Sequence, residues 1–188
     1  GAFKDSTSNA NHGTDYNTPT LGATGQIGNA VNFPGVNEYI EIPNSASLEN
    51  IQEGDFTTMA WFNPDTTPPG SGTANNADYG LFMKPGYHEG PIFMNNNAYN
   101  MQHWLTGNVG TGVSGATAFL PGTYRFVTAV VSKTAGTAKI YINGQLDGTG
   151  TWTAGTAAKE YDQVTWKIGI AGPGAATSTV WARRRSSR

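Results

Sequence analysis

An all-β domain is what this sequence predicts, on three observations. Only 13% of the 188 residues are charged and 25 are glycine. That is about half of the roughly 25% charge usual in soluble domains, so solubility must come from Asn, Thr and Ser. Such a mix withholds the Ala, Leu, Glu, Lys and Arg of long helices and supplies what strands and tight turns use. Second, short strand-forming runs recur with turn residues between them and no helical period intervening, the pattern of a sandwich or barrel. Third, Lys139-Ile-Tyr-Ile-Asn-Gly-Gln-Leu146 carries Asn-Gly between strand formers. Both central residues of a type I′ hairpin need positive φ, which Asn and Gly tolerate.

Taken in order, positions 1–25 are polar and without period, and read as a lead-in strand followed by a long loop. Strands are then expected at 29–33, 39–42, 56–63, 79–84, 91–94, 99–106, 123–132, 138–143 and 164–170. One helical turn is expected at 45–51, where Leu48 and Ile51 stand three apart. Stretches 66–77 and 148–158, built of Gly, Thr, Pro and Asn, read as loops too long for simple connectors; such loops usually bind something or are disordered. Gly110-x-Gly112-x-x-Gly115 matches a dinucleotide fingerprint by letter, but Pro121-Gly122 leaves no room for the helix that would hold a phosphate.

Alternation within strands separates core from surface. Val164, Trp166, Ile168 and Ile170 share one face, which places Trp166 in the core. Trp61, in Met-Ala-Trp-Phe, has apolar neighbours on both parities and is also read as core. In 99–106 the set Tyr99, Met101, His103 and Leu105 opposes Asn100, Gln102, Trp104 and Thr106. The second face is polar apart from one indole. A flat ring can stack on the C–H face of a pyranose while Asn100 and Gln102 hydrogen-bond its hydroxyls; the alternative is that Trp104 closes a core edge. Trp152, among glycines and threonines, is either folded back onto the sandwich or displayed to a ligand, and Tyr87 and His88 in the turn at 85–91 resemble it. Together Trp104, Gln102, Asn100, Trp152, Tyr87 and His88 make the candidate sugar platform.

Charge narrows the function. The net charge is −2, yet Arg183, Arg184, Arg185 and Arg188 supply four of eleven basic residues, leaving seven against thirteen acidic, a net −6, over the rest. A nucleic-acid partner is not expected of that body. No cysteine is present, which removes disulfides, thiolate metal sites and cysteine nucleophiles. No run approaches the roughly 18 apolar residues of a membrane span.

Five segments in order, Asp5-Ser-Thr-Ser-Asn-Ala-Asn-His-Gly13-Thr14, Ile27-Gly-Asn-Ala-Val-Asn-Phe-Pro-Gly35, Asn37-Glu-Tyr-Ile-Glu-Ile-Pro43, Phe56-Thr-Thr-Met-Ala-Trp-Phe-Asn-Pro64 and Lys139 to Gly148, resemble the laminin G-like, or concanavalin A-like lectin/glucanase, domains. The resemblance implies a jelly-roll sandwich of two antiparallel sheets that binds carbohydrate or protein, often with calcium. Such domains generally end on a closing strand, whereas here 178–182 run into the arginines. The expectation is a domain over 1–182, then a basic tail, disordered or non-native, over 183–188, and an unpaired edge where the closing strand is missing.

Asp5, Thr7, Asn9 and Asn11 offer oxygens at every second position before Gly13. Calcium takes six to eight such ligands, so Asp5, Asn9 and Asn11 are candidate metal ligands; the alternative is a polar turn holding its own backbone. Glycosidase chemistry needs two carboxyls at a fixed separation. The Glu-x-Asp-x-x-Glu strand of the resembling glucanases is absent, and Glu38 and Glu41 fall on opposite faces of their strand. Asp78, Glu89 or Asp147 would have to act from loops. The expectation is therefore a non-catalytic, lectin-like module of a larger extracellular, cell-surface or virion-surface protein. The rival is a protein-binding adhesion or structural domain, with a glycoside hydrolase third.

Overall fold

Brief apolar–polar alternations cut by turns make many short strands rather than a few long ones. The structure is a computed structural model and describes residues 3–33, 38–49, 51–64, 79–84, 89–95, 98–105, 109–118, 120–157, 165–169 and 181–183. Its strands are β1 (Thr14–Tyr16), β2 (Thr20–Thr24), β3 (Asn29–Asn32), β4 (Tyr39–Ile42), β5 (Phe56–Phe62), β6 (Tyr79–Lys84), β7 (Glu89–Asn95), β8 (Ala98–Leu105), β9 (Val109–Ala118), β10 (Arg125–Ser132), β11 (Thr137–Ile142), β12 (Gln145–Thr151), β13 (Trp166–Ile168) and β14 (Trp181–Arg183). A 3-10 turn at Ile51–Glu53 follows a turn in which the Leu48 and Glu49 N–H groups both donate to the Ser45 carbonyl, the single helical turn expected there.

A seven-stranded sheet has the order β1-β4-β13-β6-β7-β8-β9, a four-stranded sheet β12-β11-β10-β5, and a three-stranded sheet β14-β3-β2. Every strand pair described is antiparallel. Because β14 runs alongside β5, the small sheet continues the four-stranded one. This second layer faces the first, with β10 over β7 and β11 over β8, and the fold is the expected jelly-roll sandwich.

Burial follows strand parity. Val127, Ala129 and Val131 of β10, and Ala138, Ile140 and Ile142 of β11, point inward against Tyr99 and Met101 of β8, Val113 of β9, Ile40 of β4 and Phe62 of β5. Trp166 is 1% exposed and stacks on Phe82 with ring centroids 4.6 Å apart, in the core as its alternation predicts. The β11–β12 hairpin turns on Asn143 and Gly144, with φ of 51° and 82°, so the type I′ geometry is realised.

Three expectations need correction. The N-terminal region is no loop: Phe3 and Gly13 exchange backbone hydrogen bonds, and β1 and β2 follow. Positions 148–151 are the end of β12. Gly148 and Gly150 look loop-like in sequence but are strand residues that let β12 lie against the backbone of β9; a Cβ on Gly150 would fall 2.7 Å from the Gly112 carbonyl oxygen. The Gly110-x-Gly112-x-x-Gly115 segment, set aside above as a phosphate loop, lies within strand β9, where a Cβ on Gly115 would collide with the Asp147 carboxylate. Finally, β14 pairs with β3, with Trp181, Ala182 and Arg183 opposite Asn32, Val31 and Ala30. That edge of β3 is covered, and the last strand runs one residue past Ala182.

Candidate functional site

Sugar recognition requires a free aromatic face with hydrogen-bonding groups at its rim, and the outer face of the four-stranded sheet supplies one. Alternation sends Phe56, Ala60 and Phe62 of β5 inward, leaving Met59 and Trp61 on the outer side. The register sets Trp61 opposite Phe126, and their rings meet at 5.2 Å between centroids, tilted by 41°. Trp61, Phe126, Tyr124, Gln26, Asn143 and Gly144 line a shallow depression of about 470 Å³.

Each rim residue is held by local chemistry. Asn143 takes positive φ in the hairpin turn, accepts the Phe126 N–H at Oδ1 (2.9 Å) and donates its own N–H to the Phe126 carbonyl (2.8 Å). Its side-chain amino group is what remains to face a ligand. The Tyr124 hydroxyl donates to the Thr24 carbonyl at 2.7 Å. That bond ties β2 and its connection to β3, where exposed Gln26 sits, to the edge of the depression. Among the described residues the lining thus combines three aromatic rings with two amides and contains no charged side chain.

A second aromatic group, on the outer face of the large sheet, is arranged differently. Tyr16 and Tyr39 stack at 4.7 Å, nearly parallel. Lys167, from the strand on the other side of β4, lies 4.1 Å from the centre of the Tyr39 ring and 3.6 Å from Glu41. Both faces of Tyr39 are therefore committed. The neighbouring Glu41 carboxylate, with burial second, holds the Tyr16 hydroxyl above its ordinary pKa.

The platform expected from the sequence is not assembled among the described residues. Asn100 is 8% exposed; its amide donates to the Ala98 carbonyl and accepts the Ser114 hydroxyl at 2.6 Å. It is a cross-strand fastener between β8 and β9, not a displayed amide. Trp152 packs against the hydrophobic core, so of its two readings the folded-back one holds. Gln102 and Trp104 are described only through their backbone, which places them in β8 opposite Gly112 and Gly110. Tyr87 and His88 lie outside the described residues. Trp61 is the residue that sequence reasoning misplaced. The usable signal was parity with Phe62: two adjacent aromatics on a strand cannot both point inward.

The acidic candidates are likewise resolved in part. Asp147 belongs to β12 and accepts both the N–H and the hydroxyl of Thr117 in β9. Glu89 opens β7, and Asp78 lies outside the described residues. The Asp5 carboxylate accepts the Thr7 N–H (2.8 Å), the Thr7 hydroxyl (2.7 Å) and the Asn11 N–H (3.0 Å). The Thr7 hydroxyl, then these N–H groups, hold its pKa below the ordinary 3.8. Asn11 Oδ1 accepts the Ser45 and Ser47 hydroxyls, and the Asn9 N–H donates to Thr7. With the Asp5 carboxylate engaged by Thr7 and Asn11 and the Asn11 oxygen by Ser45 and Ser47, Asp5, Asn9 and Asn11 do not fit calcium as a ligand set.

A family model described as the Concanavalin A-like lectin/glucanases superfamily matches residues 34–184. Among curated protein sequences, none matches the chain. Among solved structures, the binding domain of Paraclostridial Mosquitocidal Protein 1 superposes with a TM-score of 0.76 at 12% identity, over 95% of this chain and 44% of that one. The binding domain of Botulinum neurotoxin DC, in complex with rat synaptotagmin II, gives 0.71 at 14% identity, over 96% of this chain and 43% of that one. A structure of botulinum neurotoxin type C, whose cell entry is described as dependent on two ganglioside molecules, gives 0.68 at 14% identity and the same coverage. At such identities the likeness is one of fold, and the chain spans less than half the length of each of these structures.

Proposed function

The chain belongs to the concanavalin A-like lectin/glucanases superfamily, and from that premise we propose that it is a non-catalytic carbohydrate-binding module of a larger extracellular or virion-surface protein. The Trp61 depression is its platform. The observation that carries this reading is the conjunction of the half-buried Trp61–Phe126 pair with the exposed Asn143 and Gln26 amides at one concave spot. Asn143 serves both the turn and the rim, so the site is preorganised and little conformational entropy is lost on binding. Among the described residues no carboxylate lines the depression, whereas glycoside hydrolysis requires a pair of them; that favours the binding reading. The neurotoxin structure described with gangliosides adds support at the level of fold.

Glycan-array screening followed by tryptophan fluorescence titration tests the reading. Trp61→Ala should weaken a bound glycan about 30-fold, the equivalent of about 2 kcal/mol for a central aromatic anchor. Trp104→Ala should leave affinity within about two-fold. Loss of binding in Trp104→Ala with retention in Trp61→Ala would move the site to β8. A protein ligand is the second reading, favoured by Met59 and Leu146, 57% and 56% exposed on the same outer face.

A further inference from the structure

Behind the N-terminal segment lies a cavity of about 360 Å³, within the usual range of small-ligand pockets, roughly 300–1,000 Å³. It shares no residue with the Trp61 depression. Its walls are apolar, from Phe3, Val31, Ile40, Ile42, Leu48 and Ile168.

These walls are held from two sides. Phe3 is fixed by its paired backbone hydrogen bonds with Gly13, at 2.8 and 2.7 Å. Gly13 is glycine because a Cβ there would collide with the Ile40 side chain. Across the opening, Asn11 is locked to Ser45 and Ser47, in the turn that carries Leu48. The space is thus framed by hydrogen-bonded segments rather than left between loose ones.

Three polar residues complete the lining: Lys4, Asp5 and Asn11. Asn11 is spent on the two serines. Asp5 accepts three hydrogen bonds, and a carboxylate has about four acceptor positions, so one is left. Lys4 is exposed and makes no ion pair among the described residues. The lining of this apolar chamber therefore includes one cationic and one anionic residue. A carboxylate head would be opposed by Asp5 and an ammonium head by Lys4. A hydroxyl can accept from the one and donate to the other.

We propose that this cavity binds a neutral amphiphile of the aliphatic-alcohol class, its hydrocarbon body against Phe3, Ile40, Leu48 and Ile168 and its hydroxyl between Lys4 and Asp5. Calorimetric titration at low salt with 1-octanol, octanoate and octylammonium tests it at constant chain length. Octanol should bind tightest, with each ion weaker by about three- to five-fold, the size of one exposed charge contact. Leu48→Trp, which fills the chamber from its rim, should abolish binding while the melting transition is retained. Lys4→Gln alters an exposed side chain and leaves folding unaffected; it should turn the preference towards octylammonium. Absence of octanol binding, unchanged affinity in folded Leu48→Trp, a preference for either ion in the parent, or an unchanged order in Lys4→Gln would each overturn the assignment.

Discussion

Replacing Asp147 by Ala tests how the two sheets are joined. Asp147 lies on β12, the edge of the four-stranded sheet, and Thr117 on β9, the edge of the seven-stranded one. One carboxylate accepts both the backbone N–H of Thr117, at 3.0 Å, and its hydroxyl. Hydrogen bonds to a charged group contribute about 1.5–3 kcal/mol, and truncation also leaves the part-buried Thr117 N–H without its acceptor. For a domain of this size each kcal/mol shifts Tm by about 2–4 °C, so Asp147→Ala should lower Tm by roughly 3–12 °C. Thr117→Val keeps the N–H bond and should cost less. The double variant should show coupling of about 0.5 kcal/mol or more, as expected for residues in direct contact. Differential scanning calorimetry of the four proteins reads all of this. An Asp147→Ala melt within 1 °C of the parent, or purely additive effects, would refute the idea that this carboxylate fastens the sheets.

Three further predictions follow from individual environments. Gly169→Ala should destabilise strongly, by calorimetry, because Gly169 has φ of +96° and a Cβ would fall 2.7 Å from the Phe33 ring, combining backbone strain with core overpacking of typically about 1–3 kcal/mol. Asp55 accepts the Thr134 N–H and the Ser132 hydroxyl, which hold its pKa below 3.8, as the Thr7 hydroxyl and neighbouring N–H groups do for Asp5. A folded pKa below the unfolded one gives stability that is complete above the unfolded value and is lost as pH falls through the folded one. Tm should therefore be flat above about pH 5 and fall below about pH 4, and Asp55→Asn should shrink the fall. Calcium or a chelator should leave Tm unchanged; a reversible rise with calcium would restore the Asp5–Asn11 loop as a metal site.

The fold was legible because its signals are local. The Asn143-Gly144 turn, the alternation in β10 and β11, and the apolar parity of Trp166 each follow from backbone geometry that a few residues decide. β9 and the end of β12 were obscured because glycine usually marks a turn, and its role here is set by a strand from the other sheet. The site was harder to read. Asn100 looked like a displayed amide because a strand's outward parity reads as solvent, yet Ser114 across the ladder claims it. Trp61 looked buried because its neighbours are apolar, and only the pairing of β5 with β10 places it beside Phe126 on the outside. The Asp5 loop has calcium-like spacing, but the same spacing lets a carboxylate bond its own backbone, and sequence does not distinguish the two.

The glycine-lined contact between β9 and β12 also bears on how this domain behaves at high local concentration. A free edge strand offers a row of unpaired N–H and C=O groups to any other chain, and is a common route to fibrils and unwanted oligomers. Here the edges of both layers lean on each other, backbone to backbone at Gly112 and Gly150, which leaves an incoming strand no room at this side. Larger side chains at these glycines would do more than loosen the sandwich. They would part the two edges and expose a template for self-association, so light scattering during slow heating should report these substitutions well before any change in glycan affinity does.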